Sequence, residues 1–190
     1  MGKMIKGEKR IIIPNDTLVL ICGSQKSGKT TFTQKHFAGK RIITTDELFD
    51  EVVKNQSTAL DPMGTLVRRT TNTFEERVSN SSKESSITVV DAAPIEFERR
   101  LEMLRRFKGL HTNIVLIVLN VKYSVLVKRS QKSIDKKKKT FGIALIRDVD
   151  LWLNTLDITE QIKYNQFGYN VNCVYILSGK EIEKCQVTFE

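Results

Sequence analysis

Long apolar runs are missing from this 190-residue sequence: the basic N-terminus leads only into Ile11 to Ile13. No stretch approaches the roughly 20 apolar residues that a membrane span requires. We therefore expect no membrane partner, no targeting segment and a cytoplasmic location. Cysteine is scarce too. Cys22, Cys173 and Cys185 are odd in number, far apart and outside any Cys-x-x-Cys or Cys/His cluster, so neither a disulfide framework nor a zinc site is expected, which suits a reducing compartment. His36 and His111 lack the neighbours of a nucleophile or metal site, and a structural or exposed role is expected for each. No internal repeat is visible.

Positive charge is in excess. Thirty-one Lys and Arg against 22 Asp and Glu leave a net charge of +9, which raises the local concentration of polyanions such as nucleic acid or nucleotides. A hydrophobic content of 40% is enough to bury a core at this length, and one domain over residues 1–190 is expected.

Five short Val- and Ile-rich runs recur: Thr17 to Cys22, Arg41 to Thr45, Ile87 to Val90, Asn113 to Asn120 and Asn172 to Leu177. Continuous rather than alternating hydrophobicity suits strands buried on both faces. Helical spacing lies between them, as in Phe97, Leu101, Leu104 and Phe107, or Val121, Val125 and Leu126. Strands alternating with helices predict an α/β three-layer fold with a mostly parallel sheet of about five strands. A first helix is expected to end near Phe37, with Gly39 as its left-handed cap, another around Thr65 to Val78, and a long one from about Ile143 to Tyr164. The polar segment Ser79 to Ser86 reads as a surface loop. Arg99, Arg100, Arg105 and Arg106 read as a solvent face, and Phe32, Trp152, Tyr164 and Phe167 as core aromatics.

The first run leads into Gly23-Ser24-Gln25-Lys26-Ser27-Gly28-Lys29-Thr30, which fits the phosphate-loop pattern G-x-x-x-x-G-K-[ST]. The glycines let the backbone turn sharply and close its N–H groups around phosphate oxygens. Lys29 is then placed for the β and γ phosphates, Thr30 for Mg²⁺, and Thr31 for the nucleotide beside it, all at a helix N-terminus whose dipole favours anions. ATP or another nucleoside triphosphate with Mg²⁺ is the expected ligand.

Two acids end later strands. Asp91 follows Ile87-Thr88-Val89-Val90 in a Walker B-like arrangement and is expected to help hold Mg²⁺. Asp46 follows Arg41 to Thr45; it is a candidate general base if its strand neighbours the first, the alternative being a helix cap. The fourth run ends in Asn120-Val121-Lys122-Tyr123 rather than a base-reading Asn-Lys-x-Asp, which argues against a switch GTPase.

The order of these features, with Glu98-Arg99-Arg100 after Asp91 and then Val125 to Lys132, resembles the kinase domains of bacterial and phage 5′-hydroxyl polynucleotide kinases. The likeness extends from Ile13-Pro14 to Val174-Tyr175-Ile176-Leu177. It implies that Lys29 and Thr30 bind ATP and Mg²⁺, that Asp46 is the base on the acceptor hydroxyl, and that Arg129 is a lid arginine within a basic lid at about 128–140. It also implies a nucleic-acid 5′ end as acceptor, with a repair ligase or phosphatase as possible partner. The sequence departs from the pattern at three places. Phe49 stands where the family has an acceptor-binding Arg. Asp91-Ala92-Ala93-Pro94 replaces an Asp-Thr-Asn type segment. Ser133 stands at the second lid arginine, leaving Lys132 and Lys136 as nearby cations without the bidentate fork. Two other readings stay open: a small-acceptor kinase resembling zeta-type toxins, and a nucleotide-binding module without transfer activity.

Overall fold

The computed structural model describes residues 3–6, 10–54, 63–93, 97–131, 164, 169 and 171–190. In chain order the elements are β1 (Lys3–Lys6), β2 (Arg10–Ile13), β3 (Thr17–Gly23), α1 (Lys29–His36), β4 (Arg41–Thr44), α2 (Thr45–Lys54), α3 (Met63–Glu84), β5 (Ile87–Ala93), α4 (Phe97–Arg106), β6 (Asn113–Asn120), α5 (Tyr123–Gln131), β7 (Val171–Ser178), α6 (Lys180–Lys184) and β8 (Gln186–Phe189). All five apolar runs are strands.

They lie in one parallel sheet of six strands, ordered β1-β7-β6-β3-β5-β4. The sixth is β1, paired in parallel with β7, and the four residues of β2 pair with β8 in a separate two-stranded sheet. The central β3 is buried at every position, as a strand covered on both faces must be. Its residues alternate between two cores. Leu18, Leu20 and Cys22 join Leu48, Phe74, Val78, Leu104 and Phe107 from α2, α3 and the α4 region. Val19 and Ile21 join Phe32 and Phe37 from the α1 side, with Ile11 and Ile13 of β2.

Several expectations are corrected. Ser79 to Ser86 is not a loop: α3 continues to Glu84. The Ser82 hydroxyl donates to the Val78 carbonyl at 2.8 Å, and Ser81 is buried against the body of the protein, so packing overrides the weak helix preference of serine. Arg100 is not on a solvent face. It is 1% exposed and its Nε donates to the Tyr164 hydroxyl at 2.6 Å, whereas Arg105 and Arg106 are exposed and pair with Glu102, Arg106 also with Glu75. Phe32 and Tyr164 are core residues as expected. The Ile143 to Tyr164 helix lies outside the described residues except for Tyr164, as do Trp152 and Phe167. Helix α1 ends at His36, and Gly39 is left-handed with φ +79°.

Candidate functional site

β3 pairs with β5 on one side and β6 on the other, so the chain reverses its winding there. In an open α/β sheet the crevice beyond the strand C-termini at such a point is the ligand site. The segment that fills it is Gly23 to Thr30. Gly28 has φ +97°, a conformation that a side chain strains, and its N–H-rich loop feeds directly into α1. Gly23 is required by space. A Cβ there would sit 2.7 Å from the Ser27 hydroxyl oxygen and 3.2 Å from the Leu119 carbonyl of β6. Gln25 and Lys26 form the exposed crest, Ser24 and Ser27 its buried flanks.

Lys29 folds back over this loop, and its ammonium donates to the carbonyls of Gly23 (3.0 Å) and Ser24 (3.1 Å). Burial pushes the Lys29 amine below its ordinary range, opposed by the charges of Asp91, Cys22 and Asp46. An amine parked on carbonyls at the loop mouth is a cation placed to move onto phosphate oxygens.

Asp91 stands beside it. Between the pairs Leu20↔Val90 and Cys22↔Ala93, β3 advances two residues and β5 three. The extra residue is a bulge at the strand end, a device that re-aims side chains near sites. Asp91 is 5% exposed, and burial pushes its carboxyl above the usual range, while Lys29, Thr30 and Thr33 pull it down. Its Oδ2 accepts from the Thr33 hydroxyl at 3.4 Å, whereas Oδ1 is buried with no hydrogen-bond partner. A buried, unpartnered carboxylate oxygen beside a phosphate loop and the Thr30 hydroxyl fits a hard divalent cation. No cluster of three or more His, Cys, Asp or Glu is present among the described residues. One buried carboxylate and one hydroxyl suit a cation that shares its shell with phosphate and water rather than one held in a protein-only cage.

Asp46 reaches this place by a different route from the one expected. Its strand, β4, does not neighbour β3; β5 lies between them, and β4 is the edge strand. Thr44 pairs in register with Asp91, and Asp46 follows in the first turn of α2. It is close enough that its charge acts on both Lys29 and Asp91. Nor does Asp46 cap α2. The Glu47 N–H donates to the Thr44 hydroxyl at 3.3 Å, so Thr44 has that role, and Asp46 is exposed toward solvent.

Arg129, near the end of α5, crosses to the loop, and its Nη1 donates to the carbonyls of Lys26 (2.9 Å) and Ser27 (3.3 Å). Beside it a groove of about 550 Å³ runs along α1 to α6, with Thr31, Phe32, Lys35 and Ile182 among its walls. Lys132, Lys136, Pro94 and Ser133, and with them most of the expected lid, lie outside the described residues. Thr33 was missed by sequence reasoning. Its only signal is its place one turn beyond Lys29, and Ser and Thr inside helices are common.

The fold and this site define a kinase-like P-loop domain, a class whose architecture implies nucleotide binding. The chain belongs to the AAA domain family, whose family model matches residues 18–142. No curated protein matches the sequence. Among solved structures, the chain is similar to a component of the Pnkp1/Rnl/Hen1 RNA repair complex, at 17% identity and TM-score 0.54, covering 72% of this chain. It spans 46% of that component, about half its length. It is also similar to a putative kinase from Chloroflexus aurantiacus J-10-fl, at 12% identity and TM-score 0.55, covering 86% of this chain and 88% of that one. These likenesses establish the fold, the P-loop kinase type that the polynucleotide kinase resemblance implies. No described helix is long and apolar enough to cross a membrane.

Proposed function

We propose that the protein transfers the γ-phosphate of ATP to a 5′-hydroxyl end of RNA or DNA. The observation that carries the phosphotransfer reading is Lys29 folded over the phosphate loop beside the buried Asp91 carboxylate of the neighbouring strand, with the charge of Asp46 felt by both. The backbone of Gly23 to Thr30 cradles the phosphates, and Lys29 exchanges its loop carbonyls for β and γ oxygens. Thr30 and Asp91 would hold Mg²⁺, which when bound would neutralise charge on the phosphate oxygens. Asp46, exposed and opposite, accepts the proton of the attacking hydroxyl. Arg129, and Lys132 after it, supply positive charge to the transferring group. The groove along α1 takes the nucleoside.

The polynucleotide acceptor is supported by the motif order and by the net charge of +9. One observation favours a second reading, a small acceptor: the exposed surface of α2 beside Asp46 carries Glu47 and Asp50 against Lys54, with Glu51 paired to Arg77, a poor track for a phosphate backbone. Labelled γ-phosphate offered with 5′-hydroxyl RNA and DNA oligonucleotides separates the two. The proposal expects label on the 5′ end. ATP turnover on small hydroxyl acceptors, with oligonucleotides neither labelled nor inhibitory, would replace it with the small-acceptor reading.

A further inference from the structure

Thr33 is fully buried on α1, one turn beyond Lys29 and Thr30, and its hydroxyl lies within hydrogen-bond distance of three oxygens. These are the Lys29 carbonyl (3.1 Å), the Thr30 carbonyl (3.0 Å) and Oδ2 of Asp91 (3.4 Å). All three are acceptors and the hydroxyl has a single proton, which they compete for or share; given to Oδ2, it links the carboxylate of β5 to the helical turn that presents the P-loop lysine and threonine. Its contact is with Oδ2, while Oδ1 is left buried and without a partner.

We infer that Thr33 is a positioning residue for the divalent cation: it fixes the rotation of the Asp91 carboxylate so that Oδ1 faces the cation. The inference rests on the reading of Asp91 as a metal ligand. Without the hydroxyl, Oδ2 loses the donor that holds it, and the carboxylate is free to turn toward whichever donor is nearest. Groups that orient a metal ligand in this manner are worth about 10- to 100-fold in metal affinity.

The test measures Mn²⁺ affinity by electron paramagnetic resonance in the full chain saturated with a non-hydrolysable ATP analogue. Nucleotide affinity in EDTA is measured in parallel. Thr33→Val keeps the branched shape and removes the hydroxyl; Thr33→Ser keeps the hydroxyl. The expected result is Mn²⁺ binding about 10-fold weaker in Thr33→Val, close to wild type in Thr33→Ser, and unchanged nucleotide affinity in EDTA for both. Asp91→Asn separates the two layers of the claim. If it leaves Mn²⁺ affinity intact, Asp91 is no ligand and the inference falls with that reading. If Asp91→Asn weakens Mn²⁺ while Thr33→Val binds like wild type, the role of Thr33 alone is overturned. A Thr33→Val loss of equal size with and without metal, or one that Thr33→Ser shares, also overturns it, because that is the mark of disturbed packing.

Discussion

The two ends of the sheet treat a carboxylate in opposite ways. At the N-terminal end of the strands, Asp16 is half-exposed, yet His111 Nδ1 lies 2.9 Å from its Oδ1 and the Thr112 N–H donates to its Oδ2 at 3.0 Å, joined by the Thr112 hydroxyl. These donors, Thr112 foremost, hold its carboxyl below the ordinary range. Asn113 and Asn172 pair their side-chain amides beside it, and among the described residues His111 Nε2 is the one buried atom of this cluster without a partner. At the C-terminal end, Asp91 is buried with one oxygen unpartnered, and its carboxyl is pushed up. One end satisfies its charge internally and ties loops together. The other leaves a buried carboxylate oxygen without a partner.

The largest effect that would break this comparison lies at Lys29. Lys29→Met is expected to lower phosphate transfer by about 10²–10³-fold, with a melting temperature no lower than that of the wild type, because burial already disfavours the ammonium. Initial rates and a thermal melt read both; a large loss of stability would show that Lys29 is a fold element.

Asp91 comes next. Its folded pKa is raised above the unfolded value, so ionisation opposes folding increasingly as pH rises through the raised pKa. Asp91→Asn is therefore expected to stabilise the metal-free protein at neutral pH by on the order of 1–3 kcal/mol, and the gain should vanish in acid, where Asp91 is protonated in both states. Urea unfolding at the two pH values measures it. Asp16 has the opposite sign: its lowered pKa gives stability that is present above the ordinary carboxylate range and lost as pH falls through the lowered value. Asp16→Asn should cost about 0.2–1 kcal/mol at neutral pH, the size of an exposed pair, with the difference closing in acid in the same experiment.

Much of the fold was legible because buried parallel strands announce themselves as continuous Val and Ile runs, and the phosphate loop because its glycines and lysine are fixed in spacing. β2 and β8 were not, since four-residue strands gain their meaning only from each other across the length of the chain. The order of β4 and β5 was hidden because pairing is a long-range choice that strand composition does not record. The burial of Arg100 was hidden because a charged residue reads as surface until a Tyr164 hydroxyl is brought to it. At the site, Lys29, Thr30 and Asp91 follow from motif and strand end. The place of Thr33 does not, for its contact is with a neighbour in β5.

The proposed transfer depends most on Asp46 as the base on the acceptor hydroxyl. Single-turnover transfer by Asp46→Asn, alongside its ATP affinity, tests it most directly. The expected result is ATP binding like wild type and transfer slowed by about 10²–10⁴-fold; undiminished transfer with intact binding would rule out that role.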